Sequence, residues 1–136
     1  MDEKLVTMFV GIASGAVGYW LTTFWMKPIL RFRELRRNIL IDLVFYAQVV
    51  NADGLNDRMK KLHEERIESN RRHSAELTAC LIELPVWYQF WLRKKGYMLE
   101  RVAQDLIGFS NTKEYEAANK RVERIKAALC INTEVI

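Results

Sequence analysis

Residues 5–26 read LVTMFVGIASGAVGYWLTTFWM, a run without a single Asp, Glu, Lys or Arg. At about 1.5 Å rise per residue, a helix of that length measures roughly 33 Å, against roughly 30 Å for the hydrocarbon core of a bilayer. The run therefore predicts a transmembrane helix with slight tilt. A cleaved signal peptide would need a basic leader and a shorter apolar stretch, whereas this chain opens Met1-Asp2-Glu3-Lys4.

Directly after the run stand Lys27, Arg31, Arg33, Arg36 and Arg37, against Glu34 alone. Positive charge this close to a span stays on the cytoplasmic side and meets anionic lipid headgroups. The expected topology is that of a single-pass protein of the bacterial inner membrane, with residues 1–4 outside, 5–26 across and 27–136 a cytoplasmic domain. Tyr19, Trp20 and Trp25 gather at the basic end, where amphipathic rings favour the headgroup layer, and Pro28 is expected to kink or restart the helix.

Within the span the small and hydroxylated residues fall on one side. At about 100° per residue, Thr7, Gly11, Ser14, Gly18, Thr22 and Trp25 share an arc of roughly 80°, with Gly15 at its border, while Leu5, Phe9, Ile12, Ala13, Ala16, Trp20 and Phe24 cover the other side. Glycines let helix backbones approach closely, and Ser/Thr hydroxyls find partners across a helix contact. Gly11 to Gly15 is a GxxxG motif, enough for dimer packing. Several copies around an axis would instead turn Thr7, Ser14 and Thr22 toward a water-filled path.

Beyond residue 26 no strand-like alternation or hairpin signal occurs, and apolar residues recur at helical spacing in four blocks. The fold class is all-α: one N-terminal transmembrane helix and a cytoplasmic bundle of about four helices, in a symmetric homo-oligomer. The first block runs from Pro28 to about Asn51, with Leu35, Ile39, Leu43, Tyr46 and Val50 on one side, and it extends the span. The second runs from about Asn56 to Glu83; its charge-rich first half predicts a solvated face, and Leu77, Leu81 and Leu84 come late. Pro85 opens the third, which breaks at Arg93-Lys94-Lys95-Gly96 or continues toward Gly108. The last, capped by Asn111 or Thr112, places Tyr115, Ala118, Val122, Ile125 and Leu129 in steps of three and four.

The chain has 136 residues and a formal net charge of +4, most of it accounted for by residues 27–37. That is room for one modest helical domain and a small excess for a dedicated nucleic-acid binder. Cys80 and Cys130 sit among apolar neighbours, the setting of buried thiols in a reducing compartment. No cofactor is expected. Two histidines without the spacing of a metalloprotease motif leave no metal site, and no catalytic residue set is complete, so the expectation is not an enzyme.

Two polar groupings are candidates for ligand binding. His63, Arg66, Asn70 and His73 stand at steps of three, four and three and share one helix face. Arg93, Lys94 and Lys95, interleaved with Trp87, Tyr88, Phe90, Trp91 and Tyr97, have the composition that stacks bases and holds phosphates, although the same rings suit a core or a membrane surface. A nucleotide or single-stranded nucleic acid is the ligand such groups would take.

Arg66 to His73 resembles, at the long limit, the Arg-x(4-6)-His pattern of HEPN ribonucleases, a resemblance that would imply RNA cleavage at a dimer interface. The whole-chain plan, a minimal span with a small basic helical domain, resembles the compact membrane effectors of bacterial anti-phage defence, including the channel-forming effector of the Hailong system. That resemblance implies a homo-oligomer of four or more copies forming an ion channel, gated through its cytoplasmic helices by a nucleotide or oligonucleotide. The alternative expectation is a membrane-tethered scaffold whose charged helix recruits a cytoplasmic partner.

Overall fold

The computed structural model describes residues 2–47, 56–112 and 114–131, all of them helical or in short connections, with no strand among them. The first helix, α1, is unbroken from Glu3 to Phe45, roughly 65 Å of continuous helix. Its apolar window is wholly unburied, and Phe9, Ile12 and Tyr19 are exposed. A surface this apolar is unstable in water, and the helix is long and apolar enough to cross a membrane.

Pro28 neither breaks nor restarts α1. Residues Thr22–Met26 form a π-helical turn, closed by the Lys27 amide donating to the Thr22 carbonyl. A proline removes one amide donor and crowds the carbonyl four residues before it, here Phe24, and the wider turn gives that carbonyl room.

The second half of α1 is a core helix. Phe32, Leu35, Ile39 and Leu43 are buried, whereas Arg33, Arg37 and Ile41 face outward. Helix α2 (Asp57–Glu83) packs on it, capped by Asn56, whose side chain accepts from the Met59 amide at 2.9 Å. Then come α3 (Val86–Lys94), α4 (Leu99–Asn111) and α5 (Tyr115–Ala128). Helix α4 lies between α2 and α5, and the Ser74 hydroxyl of α2 donates to the Ala103 carbonyl of α4 at 2.8 Å. The core joins Phe32, Ile39, Leu77, Leu106, Phe109 and Ile125.

The third block ends at Gly96, whose φ of 95° suits a residue without a Cβ. The Tyr97 amide donates to Leu92 and the Gly96 amide to Arg93, a helix stop of the Schellman type. Helix α5 begins at Tyr115, not at Asn111 or Thr112. Asn111 is the last residue of α4, and the Thr112 hydroxyl reaches back to the Gly108 carbonyl at 2.8 Å, so both finish the preceding helix. Of the α5 seam, Ala118, Ile125 and Leu129 are buried and Tyr115 is exposed. Val50 and the expected stop at residues 51–54 lie outside the described residues.

Three helix ends receive donors from other helices. Four carbonyls at each C-terminus lack an intrahelical partner. The Arg66 guanidinium of α2 donates to Phe109 and Thr112 at the end of α4, at 3.1 and 3.3 Å. Arg36 of α1 donates to Leu129 and Cys130 at the end of α5, at 2.9 and 3.1 Å. Gln89 of α3 donates to Leu81 and Leu84 at the end of α2, at 2.7 and 2.9 Å. Both arginines also place positive charge at the negative end of a helix dipole.

Candidate functional site

The span presents one face of small and hydroxylated residues. Thr7, Ser14 and Thr22 each donate to a carbonyl of the preceding turn, those of Glu3, Gly11 and Gly18, at 2.9, 3.0 and 2.8 Å. Such back-bonding satisfies the hydroxyl proton inside the helix, so the face is tolerable in lipid and its oxygens can still accept a bond from outside. A Cβ built on Gly11, Gly15 or Gly18 meets nothing within 4 Å. The stripe is a notch in the helix surface, free for another body to fill.

The polar line of α2 lies inside the domain, in contrast to the solvated face expected of it. His63, Arg66, Asn70 and His73 are all buried, and Arg66 is among the largest fully buried side chains in the structure. Its guanidinium stacks on the Phe109 ring at 4.8 Å, and burial pushes its pKa down. The cause of the inward turn is register: residues 63, 66, 70 and 73 continue through 77, 80 and 84 in alternating steps of three and four. They form one stripe with Leu77, Cys80 and Leu84, which face the core.

Asp42, near the C-terminal end of α1, organises this cluster. One of its carboxylate oxygens meets both His73 Nε2, at 2.6 Å, and the Ser69 hydroxyl. The serine hydrogen goes to the carboxylate rather than to the imidazole, so the trio is not placed to activate a nucleophile. Asn70 Nδ2 and His73 Nδ1 are buried with no hydrogen-bond partner among the described residues. Beside Asp42, the Tyr46 phenol is pushed up, first by burial and then by the carboxylate. Arg66 and His73, the residues of the HEPN-like spacing, are thus turned to the interior, one onto helix-end carbonyls and the other onto Asp42.

The second grouping lies elsewhere. Arg93, Lys94 and Lys95 are exposed at the end of α3, and Arg93 helps line a cavity of about 290 Å³ with Leu81, Gln89, Tyr97 and Arg101. Leu81 is fifteen residues along α2 from Arg66, about 22 Å of helix, so the structure does not unite the two groupings. The basic cluster after the span divides as well. Arg36 serves the end of α5, Arg31 pairs with Glu83 at 2.8 Å, and Lys27, Arg33 and Arg37 stay exposed. Hydrogen bonding to Glu83, chiefly, raises the Arg31 pKa.

Sequence reasoning missed Asp42 and Ser69. Asp42 does leave a trace, because it falls three residues after Ile39 on the buried side of a helix, where a charge needs a partner. Among the described residues no three His, Cys, Asp or Glu side chains converge as a metal site would require. No protein-family model, curated protein or solved structure matches the chain.

Proposed function

We propose that the chain is the subunit of an oligomeric inner-membrane ion channel. Four or more copies would assemble with the Thr7, Gly11, Ser14, Gly18 and Thr22 face turned to a central path. The observation that carries this reading is that face: self-satisfied hydroxyls alternate with glycines whose surroundings are open, on a helix whose other side is bulky and apolar. Helices that meet through small residues bring their backbones close, and a ring of such contacts leaves hydroxyl oxygens lining the axis.

The cytoplasmic domain is the gate in this reading. It holds the same helix that crosses the membrane, through Phe32, Ile39 and Leu43 and through Asp42 with His73, so a rearrangement of the domain moves the span. An anionic signal such as a nucleotide would enter the cavity beside Arg93 and Arg101. Anti-phage defence is the setting that the whole-chain resemblance points to.

Gly18→Leu tests the proposal at a position where a Cβ meets nothing within 4 Å outside its own helix turn. The expected result is loss of the assembled mass in mild detergent together with loss of ion flux from reconstituted vesicles. A variant with unchanged subunit number and unchanged flux would overturn the role of this face, and a wild-type monomer or dimer would overturn the channel.

A further inference from the structure

Helix α3 turns its apolar side chains two ways. Tyr88 and Leu92 point into the core, while Val86, Trp87, Phe90 and Trp91 point out. Together with Ile82 near the end of α2 they form an exposed patch, in which Ile82 and Val86 are each 81% exposed and Phe90 is 69% exposed. A contiguous apolar patch of this kind marks a surface that something covers.

Its position says what. Trp87 packs edge-on against Trp25, the last ring of the apolar run, with 5.7 Å between centroids. Glu83 takes a two-pronged bond from Arg31 just beyond the run, at 2.8 and 3.0 Å. The corner between α2 and α3 is therefore tied to the level at which α1 leaves the bilayer. Lys94 follows Phe90 by one turn on the same outward side, and the Lys95 ammonium lies 5.7 Å from the Trp91 ring centre. A short helix with bulky aromatics on one face and lysines at its far end is the composition that lies in a membrane interface.

We propose that this corner docks on the cytoplasmic leaflet, with Ile82, Val86, Trp87, Phe90 and Trp91 seated at the boundary of headgroups and acyl chains and Lys94 and Lys95 on anionic headgroups. The proposal rests on residues 5–26 crossing the membrane, and not on the subunit number. Every copy meets the bilayer at this level whatever its neighbours do, which favours lipid over a second copy as the occupant.

Two single-tryptophan forms of the full chain test it in vesicles of phosphatidylethanolamine and phosphatidylglycerol with brominated acyl chains. One keeps only Trp91 (Trp20→Phe, Trp25→Phe, Trp87→Phe) and the other only Trp20 (Trp25→Phe, Trp87→Phe, Trp91→Phe). All four positions are exposed rings outside the buried core, so the fold is left intact. Docking predicts that bromine quenches Trp91 to an extent comparable with Trp20 and that aqueous acrylamide reaches neither. Trp20 quenched with Trp91 open to acrylamide places the corner in water and overturns the proposal while the span stands. Trp91 reached by neither quencher means that protein covers it, a second copy in purified material, and also overturns the proposal. An unquenched Trp20 overturns the span and the docking with it.

Discussion

Arg66→Met removes the buried guanidinium while keeping much of its volume, and it sets two physical effects against each other. Among the described residues the side chain makes two charge-assisted bonds to helix-end carbonyls, each worth about 1.5–3 kcal/mol, and a stacking contact with Phe109 worth about 0.5–2 kcal/mol. Against this stands the cost of desolvating a charge, several kcal/mol, which methionine avoids. The balance is a loss of about 2–4 kcal/mol, because the substitution leaves the Phe109 and Thr112 carbonyls without their donor at the dipole end of α4. For a domain of this size, that lowers the melting temperature by roughly 10 °C. Circular dichroism melting of the detergent-solubilised full chain measures it, with Arg66→Lys as companion: it keeps the charge, loses the planar fork, and should fall in the same direction. A methionine variant as stable as the parent, or more so, would refute the reasoning and show that the charge costs more than its bonds return.

Two helix stops should respond with opposite sign to substitution. Cys130 occupies the left-handed region at φ 52°, so Cys130→Gly should stabilise by about 0.5–1 kcal/mol, whereas Gly96→Ala should cost about 1 kcal/mol; thermal melts of both variants decide it. Burial pushes the Cys80 thiol pKa up. The folded state therefore holds that proton more tightly than the unfolded chain, and stability is lost as pH rises through and beyond the ordinary thiol range. Urea unfolding at neutral and alkaline pH should show an extra alkaline loss in the parent that is absent in Cys80→Ala; equal losses would contradict it.

Much of the fold was legible because it depends on local rules. The apolar run and the start of the second block near Asn56 are written in a few adjacent residues and stand where the sequence places them; Gly96 ends α3, one of the two outcomes the sequence allowed, and Pro85 sits just before that helix rather than in its first turn. The polar line from His63 to His73 was legible as a helix face but not as an interior one. Composition argues for water, and only the uninterrupted step pattern into Leu77, Cys80 and Leu84 argues for the core. The cross-helix capping in which Arg66 takes part also joins positions as far apart as Arg36 and Cys130, a pairing no local pattern encodes. The end of α4 misled for a related reason: Asn111 and Thr112 have the chemistry of a helix start, yet here the Thr112 hydroxyl closes the helix behind it.

The three arginine and carboxylate ties on α1 also set what kind of movement it can carry. Arg31 to Glu83, Arg36 to the end of α5 and Asp42 to His73 grip the helix at three heights along its second half. Sliding α1 along its own axis by a single turn, about 5.4 Å, would break all three at once. A slide of α1 against the domain is therefore costly. Tilting is cheaper, since the gripped half can move as one body with the domain, and the break in helical regularity between the two halves falls at Thr22–Met26. That π turn separates the apolar half of α1 from the half gripped by the domain, next to a proline that does not stop the helix.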